Sequence, residues 1–175
     1  MMMWGLIVHG AAAEPQSYAG QEQRQIKALS LGEVQDYLAG RGMGLAKAAE
    51  LNHYPGPLHV LALAEQLDLS VEQRVRSEQI FQAMQAAAKK LGTELVAQER
   101  KLDQQFAAGT ITHAELGELL RKIGELYGRL RTVHLQAHLE QRAILTASQI
   151  TRYDVLRGYV HDTGSANGDT HSHHH

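Results

Sequence analysis

His134 and His138 stand four positions apart in the stretch HLQAHLEQRAILTASQITRYDVL, residues 134–156. On a helix, side chains at i and i+4 leave the same face, so two imidazoles placed this way can grip one metal ion together. Two ligands alone bind weakly, and a complete site needs third and fourth donors from another element or from a partner subunit. His59, His53 and Met43 are the candidates upstream. A Met43 thioether would favour a soft ion such as Cu(I), whereas imidazoles with carboxylates suit zinc, nickel, cobalt or Cu(II). The competing reading leaves His134 on a helix surface and His138 hydrogen-bonded to a neighbour. Met84 falls on an apolar stripe and reads as core. His113, in the first turn of a helix, and His161 read as solvated.

Other chemistries fare worse. His134 and His138 have the spacing of a zinc-protease helix, but Leu135 and Gln136 stand where the general-base glutamate would have to be. There is no cysteine, hence no thiol nucleophile, thiolate ligand or disulfide. No Gly-x-Ser-x-Gly elbow occurs, and Asp and Glu alternate with Lys and Arg along helix faces as solvated charge. Gly40-Arg41-Gly42-Met43-Gly44 superficially resembles a phosphate loop, yet no strand precedes it and no lysine is placed for a phosphate. With 17 basic residues against 19 acidic ones, nothing argues for nucleic acid or an anionic membrane surface. An enzyme is not expected, and no run approaches the ~20 apolar residues needed to span a bilayer.

The elements that must position the histidines are helices. Aromatic residues make up 5 % of the chain and prolines number 3, while Ala, Leu, Gln, Glu, Lys and Arg dominate. Four capping boxes mark helix starts: Ser30-x-x-Glu33, Ser70-x-x-Gln73, Thr112-x-x-Glu115 and Thr146-x-x-Gln149. After the first, a short helix should end at Gly40; Leu45 to Leu51 and Pro57 to Leu67 should be two more, parted by Asn52-His53-Tyr54-Pro55-Gly56. From Ser70 to Ala108 no proline intervenes, and Phe81, Met84, Ala88, Leu91, Leu95 and Leu102 form one stripe at spacings of three and four. Gly109 stops that helix, and the short turn to Thr112 sends the next one back antiparallel. Its seam is Leu116, Leu119, Ile123, Leu126, Leu130, Val133 and Ala137. Gly117, Gly124 and Gly128 also lie on this helix, either to allow close approach of another backbone or because glycine is tolerated on an exposed face. The last helix carries Ile150, Tyr153, Leu156 and Tyr159. The expected fold is all-α: an elongated four- to five-helix protein built on a long antiparallel hairpin.

The doubled signature Leu69-Ser70-Val71-Glu72-Gln73 and Leu145-Thr146-Ala147-Ser148-Gln149, flanking a long hairpin, resembles the LTxxQ superfamily of bacterial periplasmic stress proteins. That group includes the Spy and CpxP chaperones, the zinc-associated ZraP proteins and the CnrX-type heavy-metal sensors. The likeness covers about residues 66–160, and the phrase from His138 to Thr146 is closest to the metal-sensing and metal-resistance branch. The sequence departs from the pattern in lacking a proline after the Ser or Thr and in lacking a methionine-rich cluster. The resemblance implies an exported, all-helical, often dimeric protein that binds metal or holds unfolded clients.

The N-terminus, MMMWGLIVHGAAAEPQS, ends its apolar run in small residues before a polar segment, like the tail of a signal peptide. Residues 1–28 are therefore expected to be a signal remnant or mobile arm, 29–67 short helices, 68–162 the hairpin domain, and 163–175 a disordered His-rich tail, either native or a tag remnant. Of the 11 histidines, those at 171, 173, 174 and 175 would bind divalent ions whatever their origin. Three readings follow. The first is a periplasmic heavy-metal-binding protein of the resistance or sensing kind, holding copper, zinc, nickel or cobalt through His134 and His138 with His59 or Met43; a sensor would need a separate membrane-bound signalling partner. The second is a metal-independent chaperone for unfolded clients. The third is a helical module that forms a homodimer.

Overall fold

The computed structural model describes residues 18–160. The expected signal-like start and His-rich tail fall at positions 1–17 and 161–175, outside the described residues. Six helices follow one another: α1 Leu31–Ala39, α2 Lys47–Glu50, α3 Pro57–Ala62, α4 Val71–Ala107, α5 His113–Ala143 and α6 Ala147–Leu156. The protein is all-α, and its spine is the α4–α5 hairpin, with α1 and α3 packed on α4 and α2 and α3 touching α5. At ~1.5 Å per residue, the 37 residues of α4 span about 56 Å. Before α1, the segment from Tyr18 lies against α4: Ile26 is buried, and Lys27 donates its backbone N–H and its Nζ to Asp103 at 3.1 and 3.2 Å.

All four capping boxes form, each with the Ser or Thr hydroxyl accepting from the third-position N–H and that residue's side chain accepting from the cap N–H. The two that carry glutamine do something further. Gln73 Nε2 donates to Gln149 Oε1 at 2.9 Å while Gln149 Nε2 donates to Gln73 Oε1 at 3.0 Å. The same amides reach the Ile144 carbonyl (2.8 Å) and the Leu67 carbonyl (3.2 Å). The repeated signature is thus one joint: two helix N-termini clasped side by side at the base of the hairpin.

The apolar stripes pack as the spacing requires, and burying each Leu contributes roughly 1.5–3 kcal/mol. One cluster joins Leu45, Ala88, Leu91, Leu95, Leu126 and Leu130, with Tyr37 packed on it. The other joins Val60, Ala64, Leu67, Leu69 and Tyr153, with Leu145 packed on it. Beyond Leu130 on α5 the buried residues are mostly polar: His134, His138 and Gln141 beside Ala137, with Gln141 donating to Ser77 Oγ of α4 at 2.9 Å.

Of the two readings open for the α5 glycines, exposure holds within this chain. A Cβ on Gly117, Gly124 or Gly128 would meet nothing within 4 Å, so no backbone of this chain approaches them. The close crossing is at Gly92, where a Cβ would lie 2.1 Å from the Tyr37 carbonyl oxygen; α1 seats on α4 there.

Candidate metal centre

His134 and His138 face inward. Both are buried, because the side of α5 from which they project is covered by the 40–59 segment rather than by water. The covering is incomplete and leaves a cleft of about 550 Å3. His134, His138, His59 and Met43, the four residues expected to share a metal, all line it, and so do Glu50 and Met84. His53 does not join them: its Nδ1 lies 2.7 Å from Asp154 Oδ2, which holds the turn to α6. Met84, expected in the core, is only half-buried and forms part of the cleft wall.

The local chemistry prepares the imidazoles as ligands. His138 Nδ1 donates to the Tyr54 carbonyl at 2.7 Å, which leaves Nε2 as the lone-pair nitrogen. A ring tied at one nitrogen to a backbone carbonyl and open at the other is the arrangement of a metal-ligating histidine. Gly56 keeps that side open: a Cβ there would stand 3.0 Å from His138 Nε2. His134 Nε2 is buried with no hydrogen-bond partner. Such an atom costs about 1–3 kcal/mol when nothing accepts or donates to it.

Electrostatics favour the neutral, coordinating form. Burial holds His134 below the usual imidazole value, with the charge of His138 pushing the same way. His59 is also lowered, first by burial and then by Arg157 and His138, against a weaker opposing pull from Glu50. The three rings are thus close enough for a proton on His138 to oppose protonation of the others.

Glu50, which the sequence did not single out, ties this cluster to the last helix. Its Oε1 accepts from the Tyr153 hydroxyl at 2.6 Å and the Tyr159 hydroxyl at 2.8 Å, and Arg157 Nε stands 3.4 Å away. Burial and the bond to Glu50 push the Tyr153 phenol far up, so it stays protonated and donates. The other oxygen, Oε2, is buried without a hydrogen-bond partner, 3.7 Å from His138 Nδ1. No sequence signal marked Glu50, because its partners lie about a hundred positions downstream. Two unpartnered polar atoms, an imidazole nitrogen and a carboxylate oxygen, therefore belong to side chains of one cleft, and both suit a cation.

The donors share the cleft without converging. Among the described residues, no three His, Cys, Asp or Glu side chains form a group that could hold one ion. Any ion must either draw the imidazoles together or recruit donors of another kind. No helix of the described residues is long and apolar enough to cross a membrane. Comparison with models of known families, with characterised proteins and with solved structures gave no match.

Proposed function

We propose that this chain is a transition-metal-binding protein whose site is the cleft between the hairpin and the 40–59 segment, with His134 and His138 as its central ligands. The observation that carries the reading is His134 Nε2, buried and unpartnered one helical turn from His138. His138 Nδ1, fixed on the Tyr54 carbonyl, orients the second ring, and His59 and Met43 on the opposite wall supply further donors. A bound ion would act as the missing partner of His134 and, through Glu50, meet the side chains that anchor α6. A resistance or sensing role and export to the periplasm belong to the same reading. They rest on the doubled Leu-Ser/Thr-x-x-Gln signature, and a sensor would act through a separate membrane partner.

The test is calorimetric titration of Cu(II), Zn(II), Ni(II) and Co(II) into the full chain with His171, His173, His174 and His175 replaced by Ala. The same background carrying His134→Leu and His138→Gln serves as the control. Binding at about micromolar strength or tighter with a fixed stoichiometry, lost in the double variant, is expected. No binding by the parent of these ions, nor of Cu(I) under anaerobic conditions, would end the proposal and bring a metal-independent chaperone to the front.

A second reading, compatible with the first, is homodimerisation through the outer face of α5. Leu120 and Tyr127 are exposed there on the stripe that carries Gly117, Gly124 and Gly128, whose Cβ positions face open space. Sedimentation equilibrium would show a dimer weakened by Tyr127→Glu; a monomer at every concentration would rule this out.

A further inference from the structure

The cleft contains sulfur as well as nitrogen. Met43 reaches it from the loop between α1 and α2, and Met84 from α4, while His134 reaches it from α5. Met43 sits at φ 45, a left-handed conformation that a non-glycine residue adopts at a cost, with Gly42 before it and Gly44 (φ 78) after it. The loop thus keeps a long thioether at the mouth of the cleft where glycine would be the relaxed choice.

Three features weigh against a hard divalent guest. Zinc, nickel and cobalt want four or more nitrogen and oxygen donors, and no three such side chains form a group among the described residues. The one carboxylate on the wall, Glu50, keeps Oε2 unpartnered, but its Oε1 is committed to Tyr153 and Tyr159 and its single charge is matched by Arg157. The remaining charged groups of the wall, Arg41 and Lys47, are positive; Asp36 pairs Arg41, so no spare anion offsets a double charge. A monovalent ion suffers half the Coulomb penalty in such a place. Soft ions also accept low coordination numbers and prefer thioether and imidazole ligands.

Resting on the metal-binding reading above, we propose that the guest of this cleft is a soft monovalent ion, Cu(I) or Ag(I), held by the Met43 and Met84 thioethers together with His134 Nε2. Met84 enters as a ligand rather than core packing, and the 40–44 loop becomes the movable side of the site. His138 then orients the pocket and joins the ion only if a fourth donor is taken.

The experiment uses the full chain with the four tail histidines, His9 and His161 replaced by Ala and with Met2→Leu and Met3→Leu, which leaves Met1 as the one competing thioether at the termini, common to every variant. Cu(I) is titrated anaerobically against a chromophoric Cu(I) chelator. Ag(I) is followed by NMR of the methionine ε-methyl groups, and Zn(II) is run beside them. Ag(I) should shift the Met43 and Met84 methyl signals. Met43→Leu and Met84→Leu, which conserve volume and so keep the fold, should each weaken Cu(I) binding by about tenfold or more. Both should leave Zn(II) affinity within about twofold. Unmoved methyl signals, or Cu(I) affinity indifferent to both substitutions while Zn(II) still needs His134 and His138, would overturn the soft-ion assignment and leave the metal-binding reading standing. Failure of Cu(I), Ag(I) and Zn(II) alike to bind would remove both.

Discussion

The four helix starts use one device in two ways. At Ser30 and Thr112 the third residue is glutamate, and its carboxylate serves only its own helix end; hydrogen bonds from Ser30 and Thr112 hold Glu33 and Glu115 below the usual carboxylate range. At Ser70 and Thr146 the third residue is glutamine. Its oxygen can cap while its nitrogen donates elsewhere, and the two amides bond to each other and to carbonyls of the neighbouring segments. A carboxylate has no proton to give at neutral pH and could not do both. The difference separates a solvated helix end from a docked one. It also separates the two ends of the hairpin: a tip whose turn faces water, and a base where caps, the buried Ser77–Gln141 bond and the histidine cleft lie close together.

The largest effect should come from erasing that difference. Gln73→Glu keeps the cap but removes the donations to Ile144 and Gln149 and sets a charged acceptor against two others. Loss of two partly buried hydrogen bonds with new repulsion should lower stability by about 2–4 kcal/mol in urea unfolding. The mirror substitution at the tip, Glu115→Gln, should leave the midpoint essentially where it was. Equal losses at both sites would mean that the Gln73–Gln149 joint adds nothing beyond ordinary capping.

A second contrast sets the inner face of the hairpin against its outer face. Gly92→Ala drives a methyl into the Tyr37 carbonyl, with backbone on both sides and no flexible side chain to yield, so α1 must shift. About 1–3 kcal/mol should be lost. Gly124→Ala adds a methyl to open space in a helix interior and should gain up to about 1 kcal/mol. Opposite signs on unfolding curves are the expected result at protein concentrations low enough to keep the chain monomeric; a loss at Gly124 that appears only as concentration rises would show that a second copy packs there, as the dimer reading requires.

How legible all this was follows from which signals are local. Helix starts, the hairpin and its seam could be read because caps and three-to-four spacing act within one or two turns. The recurrence of glutamine at 73 and 149, against glutamate at 33 and 115, was visible too, but the bond between the two depends on tertiary placement. The role of a glycine depends on what lies opposite, so the choice between close approach and exposure for Gly117, Gly124 and Gly128 stayed open in the sequence, and the close approach within this chain is at Gly92. Met84 kept the stripe's register and read as core, although at Phe81 and Met84, before Ala88, the stripe borders the cleft. The histidine pair was legible from its spacing. Glu50 was not, since its grip on Tyr153 and Tyr159 joins opposite ends of the chain.

The base also holds the clearest conflict between stability and binding. His134 keeps an unpartnered nitrogen among apolar neighbours, so His134→Leu should stabilise the metal-free protein by about 1 kcal/mol while abolishing metal binding. Stability lost together with binding would instead assign His134 an ordinary packing role.

The smallest effect expected is a pH dependence, and its sign is fixed by the histidines. Both His134 and His59 lie below the usual value of 6.5 in the folded protein, burial being the first cause for each. Above that value both are neutral in the folded and the unfolded chain, and they contribute no slope. As pH falls below it, the unfolded chain takes up protons that the folded cleft refuses, so stability declines until the folded-state value is passed. Unfolding measured at pH 7, 6 and 5 should therefore show a loss on acidification that is shallower in a His59→Leu, His134→Leu protein. If the slope survives removal of both cleft histidines, the acid sensitivity belongs to another part of the molecule. If it vanishes, the same two rings that would coordinate an ion are the ones that resist a proton, and metal binding should weaken over the same pH interval as protons begin to compete for them.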